Sequence, residues 1–169
     1  MVSRVRCPET CICSSAPLGG KLSQFVCHSS LTNTYKHWNG TFFEPMSLKA
    51  LGLRVQLGHL PGQTCGNPKR AFNDDFTVMD THGIHNVAVD YCDCENAKSL
   101  VHQLLRVSWF PATTTHPCSA TTFRLLREFQ LLSFESKVSA YEFYQSLARN
   151  SDNNGIIDIK VISISCLVT

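Results

Sequence analysis

The chain has 169 residues, 43% of them hydrophobic, with 15 Lys and Arg against 13 Asp and Glu for a formal charge of +2. That size suits one globular domain or two very small ones, and so even a charge excludes the basic footprint of a free-standing nucleic-acid binder. No apolar run approaches the roughly 18 residues of a membrane span, and no apolar signal core occupies the first twenty residues, which assigns the protein to nucleus or cytoplasm rather than to secretion or a membrane.

Nine cysteines and seven histidines are the compositional anomaly. An odd cysteine count without a secretory signal favours metal ligation or buried thiols over a disulfide framework. Residues 1–37 have too little apolar periodicity to fold by burial, so they read as a separate Cys/His-rich arm, a degenerate zinc knuckle or a loose segment. Cys7, Cys11, Cys13, Cys27 and His28 form a second candidate metal site there, although no pair has the two-residue gap of a zinc knuckle.

From Trp38 an apolar stretch (Phe42, Phe43, Met46, Leu48, Leu51) leads into Leu53-Arg54-Val55-Gln56-Leu57, whose alternation predicts a half-buried strand. Gly58-His59-Leu60-Pro61-Gly62 breaks it, and a polar loop with Cys65, Lys69 and Arg70 follows. Residues 76–79 and 84–91 predict a β-hairpin closed by Asp80-Thr81-His82-Gly83 and ending in Cys92-Asp93-Cys94. Asn96 reads as the N-cap of a helix with Leu100, Val101, Leu104 and Leu105 on one face, stopped by Pro111. Pro117 and Ser119 read as opening a second helix with Phe123, Leu126, Phe129 and Leu132. Ser139 and Glu142 form a capping box for a third, carrying Tyr141, Tyr144 and Leu147. Residues 38–154 therefore form the main domain, of α+β class: a small antiparallel zinc module of strand plus hairpin, then two or three short helices. Residues 155–169 are β-branched and low in charge, an edge strand or an aggregation-prone tail from a truncated or misread frame.

Cys92-x-Cys94 at a strand end is the most specific local signal, because two thiolates one residue apart can reach one tetrahedral zinc at about 2.3 Å. His85 lies seven residues upstream on the same strand, roughly 23 Å away in extended chain, and is too far unless the strand folds back. Antiparallel pairing instead sets Cys92 beside the loop that carries Cys65, and His59 ends the preceding strand. His59, Cys65, Cys92 and Cys94 are thus the candidate Cys3His set, against the blander reading of a loop histidine and a surface thiol. Three thinner features are Cys118 ahead of the second helix, where its thiol pKa would fall; an Asn39-Gly40-Thr41 sequon; and Asp74, Asp75, Asp80 and Asp90 as a two-metal carboxylate group. There is no phosphate-binding loop, dinucleotide fingerprint or nucleophile elbow, and a stand-alone enzyme is not expected.

Trp38-Asn39-Gly40-Thr41-Phe42-Phe43, Leu51-Gly52-Leu53 through Leu57-Gly58-His59, Gly83-Ile84-His85 with Cys92-x-Cys94, Gln103 to Arg106, Trp109 to Thr113, Ala120 to Phe123 and Phe143-Tyr144-x-x-Leu147 follow one another in order. In this order they resemble the second subtype of the CxC-like cysteine cluster domains associated with KDZ transposases of mushroom-forming fungi. The resemblance implies a non-catalytic zinc-binding module upstream of an RNase H-like catalytic domain, assisting DNA or chromatin engagement. It implies metal positions at Cys65, Cys92 and Cys94, with His59 and His85 both matching its histidines. Such domains carry Cys-x2-Cys pairs and spaced histidines before Trp-Asn-Gly, where this chain has Cys11-x-Cys13, Cys27-His28 and Asn33. The catalytic domain is missing, so a fragment is expected. Two functions follow: a DNA or chromatin adaptor using Lys69, Arg70, Arg124 and Arg127, or a zinc-stabilised protein-interaction module docking the catalytic domain or another partner through Tyr141, Phe143 and Tyr144, set against the ordinary reading of a helical aromatic stripe as core. Neither involves a small-molecule substrate.

Overall fold

The computed structural model describes residues 13–14, 26–27, 35–38, 40–47, 49–50, 52–60 and 63–151. The tail 155–169, and Cys7, Cys11 and His28 of the N-terminal arm, lie outside these residues. Two short antiparallel ladders come first: β1 (Cys13–Ser14) with β2 (Val26–Cys27), and β3 (Tyr35–Trp38) with β4 (Phe43–Met46). The backbone of the first sets Cys13 opposite Cys27.

The main body is a six-stranded mixed sheet built from β5 (Arg54–Gln56), β6 (Pro68–Arg70), β7 (Phe76–Asp80), β8 (Gly83–Cys92), β9 (Trp109–Pro111) and β10 (Ser119–Thr122). Its order is β5-β8-β7-β10-β9, with β6 also pairing the far end of β8. Around it lie α1 (Leu100–Arg106), α2 (Phe123–Ser136) and α3 (Ala140–Ser151). The class is α+β, with three α-helices among the described residues, and the β7–β8 hairpin turns at Gly83, whose φ of 138° only glycine adopts easily.

The sheet is mixed rather than antiparallel, because β5 runs parallel to β8 and β10 parallel to β7. Two segments depart from their helical reading. Ser119 opens the strand β10, and α2 starts four residues later with Thr122 as its cap. Thr121 and Thr122, β-branched, suit a strand hydrogen-bonded on both sides. Likewise α1 is capped by Ser99, not Asn96, and ends at Arg106, so Trp109-Phe110-Pro111 is free to pair with β10. The capping box of α3 forms as the sequence suggests: Glu142 N–H donates to Ser139 Oγ, and Ser139 N–H to the Glu142 carboxylate.

Strand alternation divides the core between the two sheet faces. On one face Phe76, Val78, Val87, Val89 and Tyr91 pack with Leu57, Leu104 and Trp109. On the other, Met79 packs with Leu125 of α2 and Phe143, Tyr144 and Leu147 of α3. Phe143 and Tyr144 are therefore core residues and not part of an exposed docking face; of the three aromatics proposed for one, only Tyr141 is exposed. Their i, i+1, i+4 spacing with Leu147 lays them along the helix face that meets the sheet.

At the hairpin turn, buried Asp80 accepts from the Thr122 hydroxyl at 2.7 Å and from Arg124 at 2.6 Å. Burial works against its charge, but Thr122, the Thr81 backbone N–H and Arg124 outweigh it and hold its pKa below the ordinary aspartate value. A depressed folded-state pKa stabilises above the unfolded value of about 3.9 and is lost as pH falls through the folded one. Urea midpoints taken between about pH 6 and pH 3 should accordingly drop more steeply for the native chain than for Asp80→Asn.

Candidate metal centre

Three segments converge at the C-terminal end of β8. Leu57 N–H donates to the Asp90 carbonyl, extending the β5–β8 ladder, and Gly58 then turns the chain in a left-handed conformation (φ 87°) that delivers His59. A Cβ at position 58 would lie 2.4 Å from the Cβ of Cys92, so this close approach requires glycine. From the other side, β6 pairs Pro68 with Cys92, and Asn67 brackets Asp93: its carbonyl accepts from Asp93 N–H, and its side-chain amide donates to the Asp93 carbonyl. That places Cys65, two residues before Asn67, against the Cys92-x-Cys94 turn.

The result is a compact donor set. His59 Nε2 lies 3.2 Å from Cys92 Sγ and 3.8 Å from Cys94 Sγ, and Cys65 Sγ lies 3.6 Å from Cys94 Sγ. All four donor atoms fall within 4.8 Å of one another. A tetrahedron with metal–sulfur bonds of about 2.3 Å has sulfur–sulfur edges of about 3.8 Å, so these separations suit one small tetrahedral cation. They are far too long for a disulfide, and the cysteines are free thiols. Cys94 is drawn down to about 7 by His59 first, then by Cys92, Cys65 and the Asn67 backbone. Cys92 is pulled down by the Cys94 backbone N–H, yet burial and the neighbouring thiols of Cys94 and Cys65 push it up to about 11. The thiolate is the metal-binding form, so a cation bound here would displace the remaining thiol protons. The set could hold a metal ion.

One participant was not singled out in the sequence. Gln103, buried on α1, accepts from Cys92 N–H at 2.8 Å and donates to the carbonyls of Cys92 (2.9 Å) and Lys98 (2.7 Å). Its amide clamps the strand end to the helix and fixes the loop between them. Its position three residues after Leu100, on the apolar face, was the available signal. In Gln103→Leu three backbone groups, two of them buried, lose this partner, a loss of about 2–3 kcal/mol in urea unfolding. The affinity of the thiol set for zinc should fall about 10- to 100-fold in a chelator competition.

The other candidates fall elsewhere. His85 lies opposite Val78, well up β8 from Cys92, and does not join the donor set, because the strand stays extended. Burial holds its imidazole below the ordinary value against the pull of Asp80, and its Nε2 has no hydrogen-bond partner. Cys118 precedes a strand and not a helix, so no helix terminus acts on its thiol. The aspartates are not a two-metal group: Asp74 and Asp90 share Arg54, Asp75 accepts from Asn86, and Asp80 holds Thr122 and Arg124. The basic residues divide between the two ends of β8. Lys69 and Arg70 are exposed on β6 beside Tyr91 and Asp90, whereas Arg124 is bound to Asp80 at the turn, about 26 Å along the strand, and Arg127 is exposed on α2.

No curated protein and no solved structure matches the chain. A family model described as a CxC2-like cysteine cluster associated with KDZ transposases matches residues 48–155, well over half the chain and all four residues of the donor set. The chain belongs to this family of CxC2-like cysteine clusters associated with KDZ transposases.

Proposed function

We propose that the chain is a non-catalytic zinc module in which His59, Cys65, Cys92 and Cys94 tie together the ends of β5, β6 and β8, and that it serves a KDZ-type transposase as an adaptor to DNA or chromatin. The observation that carries the zinc reading is the four-donor set itself, a Cys3His group at tetrahedral spacings. Zinc sites that do chemistry keep one position for water or substrate, whereas four protein donors close the coordination sphere and leave the ion a structural role.

For the DNA contact the support is Lys69 and Arg70, both exposed on β6 next to the centre. Two such phosphate contacts predict weak binding with a log–log salt slope of roughly −2. Duplex DNA titrated into the zinc-loaded chain at low salt tests this. Lys69→Ala/Arg70→Ala should abolish the salt-sensitive binding, and no binding at low salt would remove nucleic acid as a direct partner. A second reading, a zinc-stabilised protein-interaction module that docks the transposase catalytic domain, is favoured by the apolar outer face of α2, where Leu131 and Phe134 are 59% and 76% exposed.

A further inference from the structure

The helix α2 is incompletely buried. Among its apolar residues only Leu125 is fully covered, although Phe129 reaches Phe143 with ring centroids 5.1 Å apart. Alongside it, between α2 and α3, runs a groove of about 350 Å³. Its floor is Leu125, Leu132, Phe143 and Leu147, and its walls carry Glu128 from α2 and Glu142 from α3. Among the described residues no basic side chain lines it. The exposed Leu131 and Phe134 lie outside it, turned about 120° and about 180° around α2 from Leu125, and Lys137 Nζ sits 5.9 Å from the centre of the Phe134 ring.

We infer that this groove is a docking site for a basic amphipathic helix of a partner protein, with apolar anchors on the floor and Lys or Arg between Glu128 and Glu142. This deepens the second reading above by naming the chemistry of the partner, and it is independent of the DNA-adaptor reading. Two helices that share a core beside a sheet leave a trough that a third helix fills by the same ridge-and-groove contacts, and anchors at helical spacing give such complexes their affinity. The charge selects the occupant. A second copy docking isologously would bring each acidic wall against its own counterpart, and duplex phosphates would be repelled by the same carboxylates. Glu142 is held ionised by its hydrogen bonds to Ser139, so its charge persists through the physiological range.

The test uses the full zinc-loaded chain and a fluorescent Leu/Lys amphipathic peptide of about five helical turns, with a Leu/Glu peptide of the same pattern as control. Saturable anisotropy is expected with the Leu/Lys peptide and none with the Leu/Glu peptide. Glu128→Lys should weaken binding at least tenfold, and so should Leu132→Ser, whereas Leu131→Ser/Phe134→Ser, outside the groove, should leave it unchanged; these side chains are exposed, so circular dichroism and zinc content should not change. Binding that is absent, equal for both peptides or indifferent to Glu128→Lys would overturn the proposal. So would concentration-dependent dimerisation in sedimentation that Leu132→Ser abolishes. Failure of the groove is distinguishable from failure of the interaction-module reading, since a KDZ catalytic domain retained by the immobilised chain with Glu128→Lys in place would still dock elsewhere.

Discussion

Native mass spectrometry of the purified chain is expected to show one zinc ion that Cys92→Ser/Cys94→Ser no longer holds. A second ion retained by that variant would report the Cys7, Cys11, Cys13, Cys27 and His28 group. The effect should be among the largest available, since structural zinc contributes about 10–16 kcal/mol of apparent binding free energy in zinc-finger peptides. The geometry localises the damage. His59 leaves the sheet from β5, Cys65 precedes β6, and Cys92 and Cys94 end β8, so an ion held by all four would act as a tie among three chain segments. The turn end of the hairpin is anchored separately, through Met79 against α2 and α3 and through Asp80 to Thr122 and Arg124. Chelation should therefore strip hydrogen-exchange protection from residues 54–60, 65–70 and 90–98 first, with β7 and β10 protected longer. Acidification should do the same, because protons compete with the metal for the thiolates. A folded chain with no metal, indifferent to chelators, would reduce the four residues to one buried and two half-buried thiols beside a histidine.

Trp109→Ala is expected to lower stability by about 3–5 kcal/mol, read as a shift in the urea midpoint at constant slope. Trp109 is 1% exposed and stacks on Phe76 with centroids 6.4 Å apart and planes 16° from parallel, and Phe76 in turn meets Tyr91 edge-on at 6.5 Å. Removing the indole would empty the space between β9 and the hairpin, and nothing flexible stands ready to fill it. The loss should appear with zinc bound and with zinc removed. That separates it from Gln103→Leu, whose cost is coupled to the metal.

Much of this molecule follows from interactions within a few residues of each other, and those were legible. Alternation in Leu53 to Leu57 marks one buried face whatever the partner strand is, and Gly83 marks a turn because few other residues take its φ. The Ser139–Glu142 box closes within one helical turn. Cys92-x-Cys94 announces a metal-ligating strand end, and the rise per residue along a strand is enough to set His85 aside.

What escaped reading depends on partners distant in the chain. Ser119 to Thr122 has no local mark that separates a strand from a helix start; it is a strand because β7 and β9 hydrogen-bond it on both sides. A helical aromatic stripe reads as core by default, and Phe143 and Tyr144 do pack inside against Met79 and Leu125, but only the tertiary contacts decide that Leu131 and Phe134 of α2, which look the same in sequence, stay uncovered. Gln103 has the composition of a surface residue, and only the backbone of Cys92 coming within 3 Å gives its amide a purpose. The donor set divides the same way. Local spacing brings Cys92 and Cys94 together, but His59 and Cys65 reach them through the parallel β5–β8 and antiparallel β6–β8 ladders, and register between strands is a property of hydrogen bonds made across the sheet.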